Sequence, residues 1–334
     1  MKSTLYKPDF KLLADGNDIS EIIAKNLISL TLTDKVGTES DRLSIALSWP
    51  SNHKTPSKGA VLKLSIGFNG QLVDKGQFVV DEITISGPPR RLQIVANAAP
   101  MDNTKQLGTL QTHKTRSWDN VTLNDVLKTV ANEHGLTPKM SGSLTTVIIE
   151  HIDQVNESDM SLMTRLSKRY GAISKPANGY WLLLKEGEGT SVSGKALPSF
   201  TITPEMVSNW NYRESSRNES KRVVATYHDV ESGETKEVSV GVGEPAFRIL
   251  FKYPNYEEAE AAVVARYRKV DSSKNNLDLT IVGTPEVLAI SPESTLHVSG
   301  VGDAEDTDWI VNSLESSLSA SGLTLRISCM GSNS

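Results

Sequence analysis

Apolar and polar residues alternate along most of the first hundred residues, and this pattern constrains the fold more than any other feature. Apolar side chains fall at every second position in Ile28–Leu32, Leu43–Trp49 and Leu62–Phe68. A period of two buries one face of a strand and leaves the other in water, as in antiparallel sheets. The Gly-Pro-Pro turn at Gly87–Pro89 separates two further strand patterns and indicates a hairpin. This portion therefore predicts a small β-barrel or sandwich.

Length and composition exclude several classes of protein. A chain of 334 residues is too long for one ordinary core and predicts two or three domains. A net charge of −5 argues against a protein that binds nucleic acid through an overall basic surface. The single Cys329 cannot form an internal disulfide. We find neither a signal-peptide core nor an apolar run of about 20 residues, so we expect a soluble chain made in the cytoplasm.

From about residue 101 the apolar period becomes helical. The segment TLNDVLKTVANEHGLTP, residues 122–138, carries its apolar residues on one helical face. Thr122 is a favourable N-cap, and Asp125 occupies the acidic capping-box position three residues on. Gly135 and Pro138 predict the end of this helix.

The segment HIDQVNESDMSLMTRLSKRYG, residues 151–171, concentrates a histidine and three acidic residues and raises the question of a metal or acid–base site. We interpret it as a helix that Ser158 or Asn156 caps, with Glu157 and Asp159 in the first turn and basic residues at the far end. Two histidines on one helical face, as in HExxH, are absent from it, so we do not predict a metal site. A hairpin turning at Asn178–Gly179 follows.

The last portion returns to strand patterns. Residues 187–198 are rich in Gly and Ser and are typical of a linker. One helical pattern, NYEEAEAAVVARYRKVD at 255–271, interrupts the strands that follow. The segment DTDWIVNSLESSLSASG at 306–322 fits either a helix or a strand, and the pattern alone leaves both open.

The remaining polar motifs have ordinary structural interpretations. The acidic stretch at 300–309 lacks the ligand spacing of a calcium loop and predicts a solvated turn. No helix pattern follows GVGEP at 241–245, as a phosphate loop would require. Cys329 lies in a strand pattern, so we expect it to be buried rather than reactive. The scattered tryptophans, among them Trp49, Trp118 and Trp210, are interpreted as core residues. We therefore predict no enzyme, no catalytic residue, no cofactor and no metal.

Five segments, taken in order, resemble the phage late control protein D family. They are TDKVGTESDRLSIALSW, GQFVVDEITISGPPRRLQIVANAA, HKTRSWDNVTLNDVLKTVANEHGL, IDQVNESDMSLMTRLSKRYGA and DWIVNSLESSLSASGLTLRIS. The resemblance runs over nearly the whole chain. It implies the baseplate hub of a contractile tail, related in fold to the hub part of type VI secretion VgrG spike proteins, and it implies a strand rather than a helix near 308–319.

The resemblance also implies an architecture and partners. It predicts a mainly β, α+β fold with a tube-like β-barrel at 1–100, a peripheral α/β domain at 101–196 and a second barrel at 197–334, with a helical insertion near 254–272. Three copies would form a ring that joins the hexameric tail tube, or a tube-initiator protein, to the trimeric spike. Further expected partners are the tape-measure protein and other baseplate proteins, without sequence-specific nucleic acid or membrane insertion, in a virion or tail-like particle assembled in the bacterial cytoplasm.

Within this resemblance we assign structural roles to the hub motif, Asp153, Gln154, Glu157, Ser158 and Asp159. The chain ends at CMGSNS without β-helical or lysozyme-like domains, so we expect the spike to be a separate chain. An infectious phage and a tail-like bacteriocin both stay open. So do a type VI hub, a cell-surface-binding component and a wall-hydrolysing component.

Overall fold

The computed structural model describes residues 6–36, 41–50, 57–98, 110–177, 179–186, 197–215, 221–272 and 274–331. The fold is α+β and mainly β, as predicted. The first part of the chain contains the strands β1 (Pro8–Ala14), β2 (Asn17–Asp18), β3 (Leu27–Lys35), β4 (Arg42–Ser48), β5 (Val61–Phe68), β6 (Gln71–Ser86) and β7 (Arg91–Ala98).

The middle and last parts add fourteen strands. Those of the middle part are β8 (His113–Thr122), β9 (Thr137–Met140), β10 (Ile148–Ser158), β11 (Ala172–Ala177) and β12 (Tyr180–Lys185). Those of the last part are β13 (Ser199–Ile202), β14 (Val207–Glu214), β15 (Arg222–His228), β16 (Thr235–Gly241), β17 (Ala246–Tyr253), β18 (Asn275–Val282), β19 (Thr295–Val298), β20 (Asp308–Ser319) and β21 (Gly322–Gly331).

Four α-helices lie in the described residues: α1 (Ser20–Asn26), α2 (Leu123–Glu133), α3 (Asp159–Arg169) and α4 (Tyr256–Ser272). The predicted capping box of α2 is present, because Thr122 Oγ1 accepts from the Asp125 N–H at 3.1 Å while the Asp125 carboxylate accepts from the Thr122 N–H. Ser158, rather than Asn156, caps α3. None of the described helices is both long and apolar enough to cross a membrane.

One large sheet contains strands from both ends of the chain. Its path runs β14-β18-β21-β20-β3-β4-β7-β6-β5-β1-β2, with β19 and β13 branching from β20. The two ends meet where β3 pairs antiparallel with β20, from Lys35 opposite Ser313 to Ser29 opposite Ser319. The main apolar core lies against this sheet and draws buried residues from Phe10–Ala96 and Ile202–Cys329. The strand path is open at both ends within the described residues, and barrel closure therefore stays a prediction.

Two smaller cores lie outside this sheet. The first spans Leu110–Leu183 and joins α2 and α3 to the β8–β10 pair and the β11-β12-β9 sheet. The second packs α4 on the β16-β15-β17 sheet, around Val223, Val263 and Tyr253. This α4 unit is inserted between β14 and β18, which are neighbours in the main sheet. The predicted helical insertion thus includes three strands that bury its apolar face.

Several local predictions have a clear outcome. The ambiguous segment at 306–322 forms β20, so the strand implied by the resemblance is confirmed. The hairpin of β11 and β12 is confirmed, although Asn178 of its turn lies outside the described residues, as do residues 187–196 of the expected linker. Helix α1 was not predicted from the pattern. The expectation that Trp210 is a core residue is wrong, because it lies on the edge strand β14 and is 44% exposed.

Candidate functional site: the charge cluster around Asp159

The hub motif lies where two paired strands run into two helices. Strand β10 pairs antiparallel with β8, which places Gln154 opposite Arg116 and Glu157 opposite Lys114. Strand β8 continues into α2, and β10 continues into α3. The register shifts between Gln154 and Glu157, where Asn156 has a φ of +47°. Asparagine tolerates this left-handed conformation better than most residues, and the resulting bulge precedes the start of α3.

Asp159 is the centre of a charge cluster and is fully buried. Its Oδ2 accepts from Lys114 Nζ at 2.6 Å and from His134 Nε2 at 2.7 Å. Its Oδ1 accepts from Arg116 Nη2 at 2.8 Å and from Gln154 Nε2 at 2.9 Å. Because an ionised carboxylate only accepts hydrogen bonds, Nε2 of His134 must carry a hydrogen. Four donors from three different segments therefore converge on one carboxylate.

Glu133, at the last position of α2, completes the cluster. Its carboxylate accepts from Lys114 Nζ at 2.7 Å and from Arg116 Nη1 at 2.5 Å. Arg116 also stacks on the ring of Trp118, with 4.5 Å between its guanidinium carbon and the ring centroid. Two carboxylates thus face two cations, which leaves the cluster close to neutral without counting His134. Pairing and hydrogen bonding of this kind allow the charged Asp159 to stay buried, while Lys114, Arg116 and Glu133 keep partial exposure.

The electrostatics of the cluster favour the ionised states of Asp159, Glu133 and Lys114. Burial by itself would raise the pKa of Asp159, but hydrogen bonds from Lys114, Gln154 and His134 outweigh it and hold the pKa below its ordinary value. The pKa of Glu133 is likewise lowered, because bonds from Lys114 and Arg116 outweigh its burial. Burial opposes the charge of Lys114, yet its two carboxylate partners raise the pKa of this group. None of these three groups is poised to exchange a proton near neutral pH.

Gln154 organises the cluster from the strand side and is also fully buried. Its Oε1 accepts from Arg116 Nε at 2.8 Å, and its Nε2 donates to the backbone carbonyl of Glu157 at 2.7 Å as well as to Asp159. The amide therefore satisfies both of its N–H groups and its oxygen inside the protein. Such complete satisfaction fixes the side chain in one orientation and ties the bulge of β10 to the start of α3.

The other two acidic members of the motif lie closer to the surface. Glu157 accepts two bonds from Arg165, at 2.7 Å from Nη2 and 3.2 Å from Nε, and the same Nη2 donates to the backbone carbonyl of Asp153 at 2.8 Å. Asp153 accepts from Ser117 Oγ at 2.6 Å and lies 3.1 Å from His151 Nε2. These contacts link α3 to the β8–β10 pair on the solvent side.

Two details of the sequence interpretation are corrected by this geometry. Glu157 is not in the first turn of α3, because strand β10 extends to Ser158. Asp159 is in the first turn, but its carboxylate is held by side chains of β8 and β10 and by His134, which follows α2, and not by helix polarity alone. The side chains of the hub motif therefore connect two helices and two strands through contacts between residues that are distant in the sequence. Its role in the hub stays a prediction.

Four members of the cluster were not identified from the sequence: Lys114, Arg116, Glu133 and His134. One signal was available, because Lys114 and Arg116 are two residues apart and must share a face of their strand. Among the described residues we find no group of three His, Cys, Asp or Glu side chains arranged to hold a metal ion. The arrangement holds strands and helices together, because side-chain donors from several of them already occupy both oxygens of the buried Asp159 carboxylate.

The other motifs have structural positions as well. Cys329 is fully buried, and burial raises the pKa of its thiol above the ordinary value, as expected of an unreactive thiol. The acidic turn near residue 303 is organised by Asp306, whose carboxylate accepts the backbone N–H groups of Gly300, Val301 and Gly302. Strand β17, not a helix, follows GVGEP.

The family of the chain follows from a comparison with known protein families. The model of the phage tail baseplate hub (GPD) family matches residues 103–322, which includes the whole charge cluster. That match spans more than half of the chain. The chain belongs to the phage tail baseplate hub family. The resemblance drawn from the sequence is thereby confirmed, and because the hub family is structural rather than enzymatic, the prediction of no enzyme agrees with it.

Two curated relatives are themselves hub proteins. The probable baseplate hub protein of Escherichia phage P2 is 39% identical over 198 residues, which cover 59% of this chain and 50% of the P2 protein. The probable baseplate hub protein of Escherichia phage 186 is 28% identical over 366 aligned residues, covering 96% of this chain and 92% of the relative. The match to the P2 protein thus spans half of that relative's length.

Solved structures of other proteins have a similar fold. A tail protein from Neisseria meningitidis MC58 superposes with a TM-score of 0.70 at 11% identity, covering 98% of this chain and 97% of its own. An E. coli protein described as a component of the type VI secretion system gives a TM-score of 0.58 at 10% identity, covering 99% and 76%. At such low identity the likeness establishes the fold alone, and it confirms the predicted fold relation to type VI secretion proteins.

Proposed function

We propose that this hub protein forms a homotrimeric ring in the baseplate of a contractile tail and joins the hexameric tail tube to the trimeric spike. The observation that carries the proposal is the hub-family match over residues 103–322. The ring is a closed cyclic assembly with head-to-tail contacts, unlike the two-fold interface of a common dimer. In this arrangement the protein has a structural role: it connects the tube to the spike and catalyses no reaction.

The two tube-like β-barrels belong to this proposal. We assign the first barrel to residues 1–100, the peripheral α/β domain to 101–196 and the second barrel to 197–334. Support comes from the main sheet, which takes strands from the first and last portions, and from the separate core of residues 110–183. Two barrels in each of three chains would present six similar surfaces to a six-fold tube, while the ring itself keeps three-fold symmetry for the spike.

The charge cluster has a defined task in this proposal. Hub and tube must transmit force when a tail contracts, so the peripheral unit needs rigid attachment points between its helices and strands. The Asp159 cluster supplies one, because a hydrogen-bonded network centred on a buried carboxylate favours a single arrangement of α2, α3 and the β8–β10 pair. The members of the hub motif are thus assigned to holding this unit in shape.

The assembly site is the tail of a phage or of a phage-tail-like bacteriocin, built in the bacterial cytoplasm. The proposed partners are the spike protein, the tail tube or tube-initiator protein, the tape-measure protein and neighbouring baseplate proteins. The fold relation to a type VI secretion component supports a type VI hub as second candidate. The phage-family match favours the phage tail.

Light scattering on the purified protein tests the ring directly. The full chain of 36.4 kDa is measured alone and mixed with the spike protein of the same tail, with an unrelated trimeric protein as control for nonspecific association. We expect three times the chain mass, or a three-plus-three complex on mixing, and a three-fold ring by electron microscopy. A monomer that ignores the spike would contradict the proposal, and release of fragments from peptidoglycan would favour a wall-hydrolysing component instead.

A further inference from the structure

The first and last portions of the main sheet repeat one arrangement of five strands. In the first portion the neighbouring strands are β3-β4-β7-β6-β5, and in the last portion they are β14-β18-β21-β20-β19. Apart from the inserted α4 unit, the strands of both sets follow in the same order along the chain, and all neighbours are antiparallel. β3 therefore corresponds to β14, and β6 corresponds to β20. The strand that precedes each set differs, because β1 joins antiparallel and β13 parallel.

Bulges at matching places fix this correspondence residue by residue. The register shifts at Leu27–Ser29 of β3 and at Val207–Asn209 of β14, each time against the next strand along the chain. It also shifts at Val80–Glu82 of β6 and at Val311–Ser313 of β20, each time against the last strand of the set. Because a bulge adds one residue at a defined position of a strand, its repetition shows that both portions have the same register.

The backbone just before β5 and β19 matches as well. The N–H of Gly59 donates to the carbonyl of Val80 at 2.8 Å, and the N–H of Glu293 donates to the carbonyl of Val311 at 2.8 Å. Gly59 and Glu293 are both left-handed, with φ of +81° and +67°. This conformation is uncommon for glutamate, so its presence at the corresponding position shows that the two portions follow the same backbone course.

One seam joins the two portions within the chain. It pairs the side of β3 away from β4 with the half of β20 that lies beyond β19. Thr31 is opposite Ser317 in this seam, and their hydroxyl oxygens are 3.3 Å apart. The corresponding edges are open in the described residues, where β14 pairs only with β18 and Glu82–Ser86 of β6 pairs only with β7. Each chain thus uses one copy of each edge and leaves the other copy unpaired.

The open edges expose side chains whose counterparts in the seam are buried. Trp210 of β14 corresponds to Leu30, which is fully buried, and Ile85 of β6 corresponds to Ser316, which is 4% exposed. Trp210 and Ile85 are each 44% exposed. Trp210 lies opposite the buried Leu279, so its side chain is on the core face of the sheet. An open edge with apolar side chains is a template for pairing with another strand.

We propose that β14 of one copy pairs antiparallel with the Glu82–Ser86 half of β6 in the next copy, and that this contact repeats between chains the seam of β3 and β20 within each chain. The partner is thus a second copy of this chain. The inference rests on the proposed ring and names the surfaces that close it. Each copy offers two different edges, so the contacts are head-to-tail and continue until the ring closes.

The register of the seam carries over to the contact between copies. Ser86 and Asn211 correspond to the hydroxyl pair of the seam and lie opposite one another. Glu82 then lies diagonal to Arg213 on the same face, within reach of a long side chain of opposite charge. The pairing also covers the apolar side chains of both edges, as the seam covers their counterparts.

Cysteine cross-linking of the full-length chain tests this register. Ser86→Cys and Asn211→Cys are combined in one chain that keeps the buried Cys329, the protein is oxidised mildly, and free thiols are blocked before denaturation. Opposite Cα atoms of an antiparallel pair are about 4.5–5.5 Å apart, which suits a disulfide. We expect bonds between chains, with a product of three times the chain mass on a non-reducing gel.

Two further cysteine pairs are the controls. Thr31→Cys with Ser317→Cys places the same pair in the seam, so it should form a bond within one chain and leave the mass unchanged. Ser86→Cys with Asn209→Cys moves one partner two residues along the same face of β14. This shift separates the Cα atoms beyond the disulfide range, so cross-linking should fall at least about fivefold.

Ile85→Glu tests the same surface without cysteines. A charge at this edge should weaken the association of copies about tenfold or more, measured by light scattering over a dilution series, while the urea midpoint of the single chain stays unchanged. Ile148→Glu is the matched control, because Ile148 is an exposed isoleucine on β10, away from both edges. It should associate as the unmodified protein does.

The outcomes separate the interface from the ring. A trimer in which Ser86→Cys and Asn211→Cys do not cross-link overturns this interface and leaves the ring standing. Cross-linking in a chain that forms open oligomers instead of trimers supports the pairing and contradicts the ring, whereas a monomer without cross-links overturns both. If the cysteine variant does not fold, Ile85→Glu decides, and an unchanged association overturns the interface.

Discussion

Gln154 donates a hydrogen bond from Nε2 to Asp159 Oδ1 at 2.9 Å, and both side chains are fully buried. The two residues are five positions apart, one on β10 and the other in the first turn of α3. Their bond closes a network that also contains Lys114, Arg116 and His134. The consequences for stability can be measured residue by residue.

Removing the Asp159 carboxylate should destabilise the protein more than any other single change in the hub motif. Asp159→Ala leaves Lys114, Arg116 and His134 facing each other without their shared acceptor. Breaking a buried ion pair costs about 3–5 kcal/mol, and we expect about 3 kcal/mol because the two basic side chains keep partial exposure. Urea denaturation of the purified chain measures the change.

Asp153→Ala is the matched control for this substitution, since Asp153 belongs to the same motif and its side chain is 50% exposed. Its denaturation midpoint should stay close to that of the unmodified protein. Equal destabilisation by the two substitutions would contradict the assignment of Asp159 as the centre of the cluster. A metal-binding signal by calorimetry that vanished in Asp153→Ala with Glu157→Ala would overturn the structural interpretation of the motif.

The Asp159 cluster should also make the protein sensitive to acid. The folded-state pKa of Asp159 lies below its ordinary value of about 3.9, so the stability it contributes is present above pH 4 and is lost as the pH falls through the folded pKa. Unfolding free energies measured between pH 2.5 and pH 6 should fall steeply below pH 4. In Asp159→Asn this acid slope should be shallower, and an unchanged slope would assign the acid sensitivity to other carboxyl groups.

Cys329 should be inert in the folded protein. Its side chain is fully buried in β21, and burial raises the pKa of the thiol, which suppresses the reactive thiolate. A chromogenic disulfide reagent should label one thiol per chain in denaturant and, at the same pH, label it slowly without denaturant. Rapid labelling of the native protein would show that β21 is not held in the main sheet.

Gly171 should tolerate no side chain, because the chain just beyond α3 approaches α4 closely at this position. A Cβ at Gly171 would lie 2.7 Å from Cβ of Ala265, and the φ of +59° is itself unfavourable for other residues. We expect Gly171→Ala to cost about 2 kcal/mol from backbone strain and overpacking together. Thermal denaturation checks this.

Gly16→Ala separates the two contributions, since Gly16 has a φ of +85° and a Cβ added there would meet no atom within 4 Å. It should show the strain without the clash. Adding Ala265→Gly to Gly171→Ala should restore the stability lost to the clash. If the double substitution is no more stable than expected from adding the single effects, the approach of Gly171 to α4 is looser than 2.7 Å implies.

Local sequence determined those parts of the fold that depend on neighbouring residues. The capping box of Thr122 and Asp125 involves residues three apart, so residue type and spacing sufficed to place the start of α2. The alternation in β4 and β5 likewise depends only on which face of each strand is buried. The family resemblance added the strand β20, which periodicity alone left undecided.

Tertiary structure decided which distant residues meet. Lys114, His134 and Asp159 are separated by up to 45 residues and converge because β8 pairs with β10 in one particular register. The pKa of Asp34 likewise depends on its burial, on the neighbouring Asp41 and on Lys175, which is distant in the sequence. Each residue type was visible in the sequence, but its charge state depends on burial and on partners, and only the folded chain brings those together.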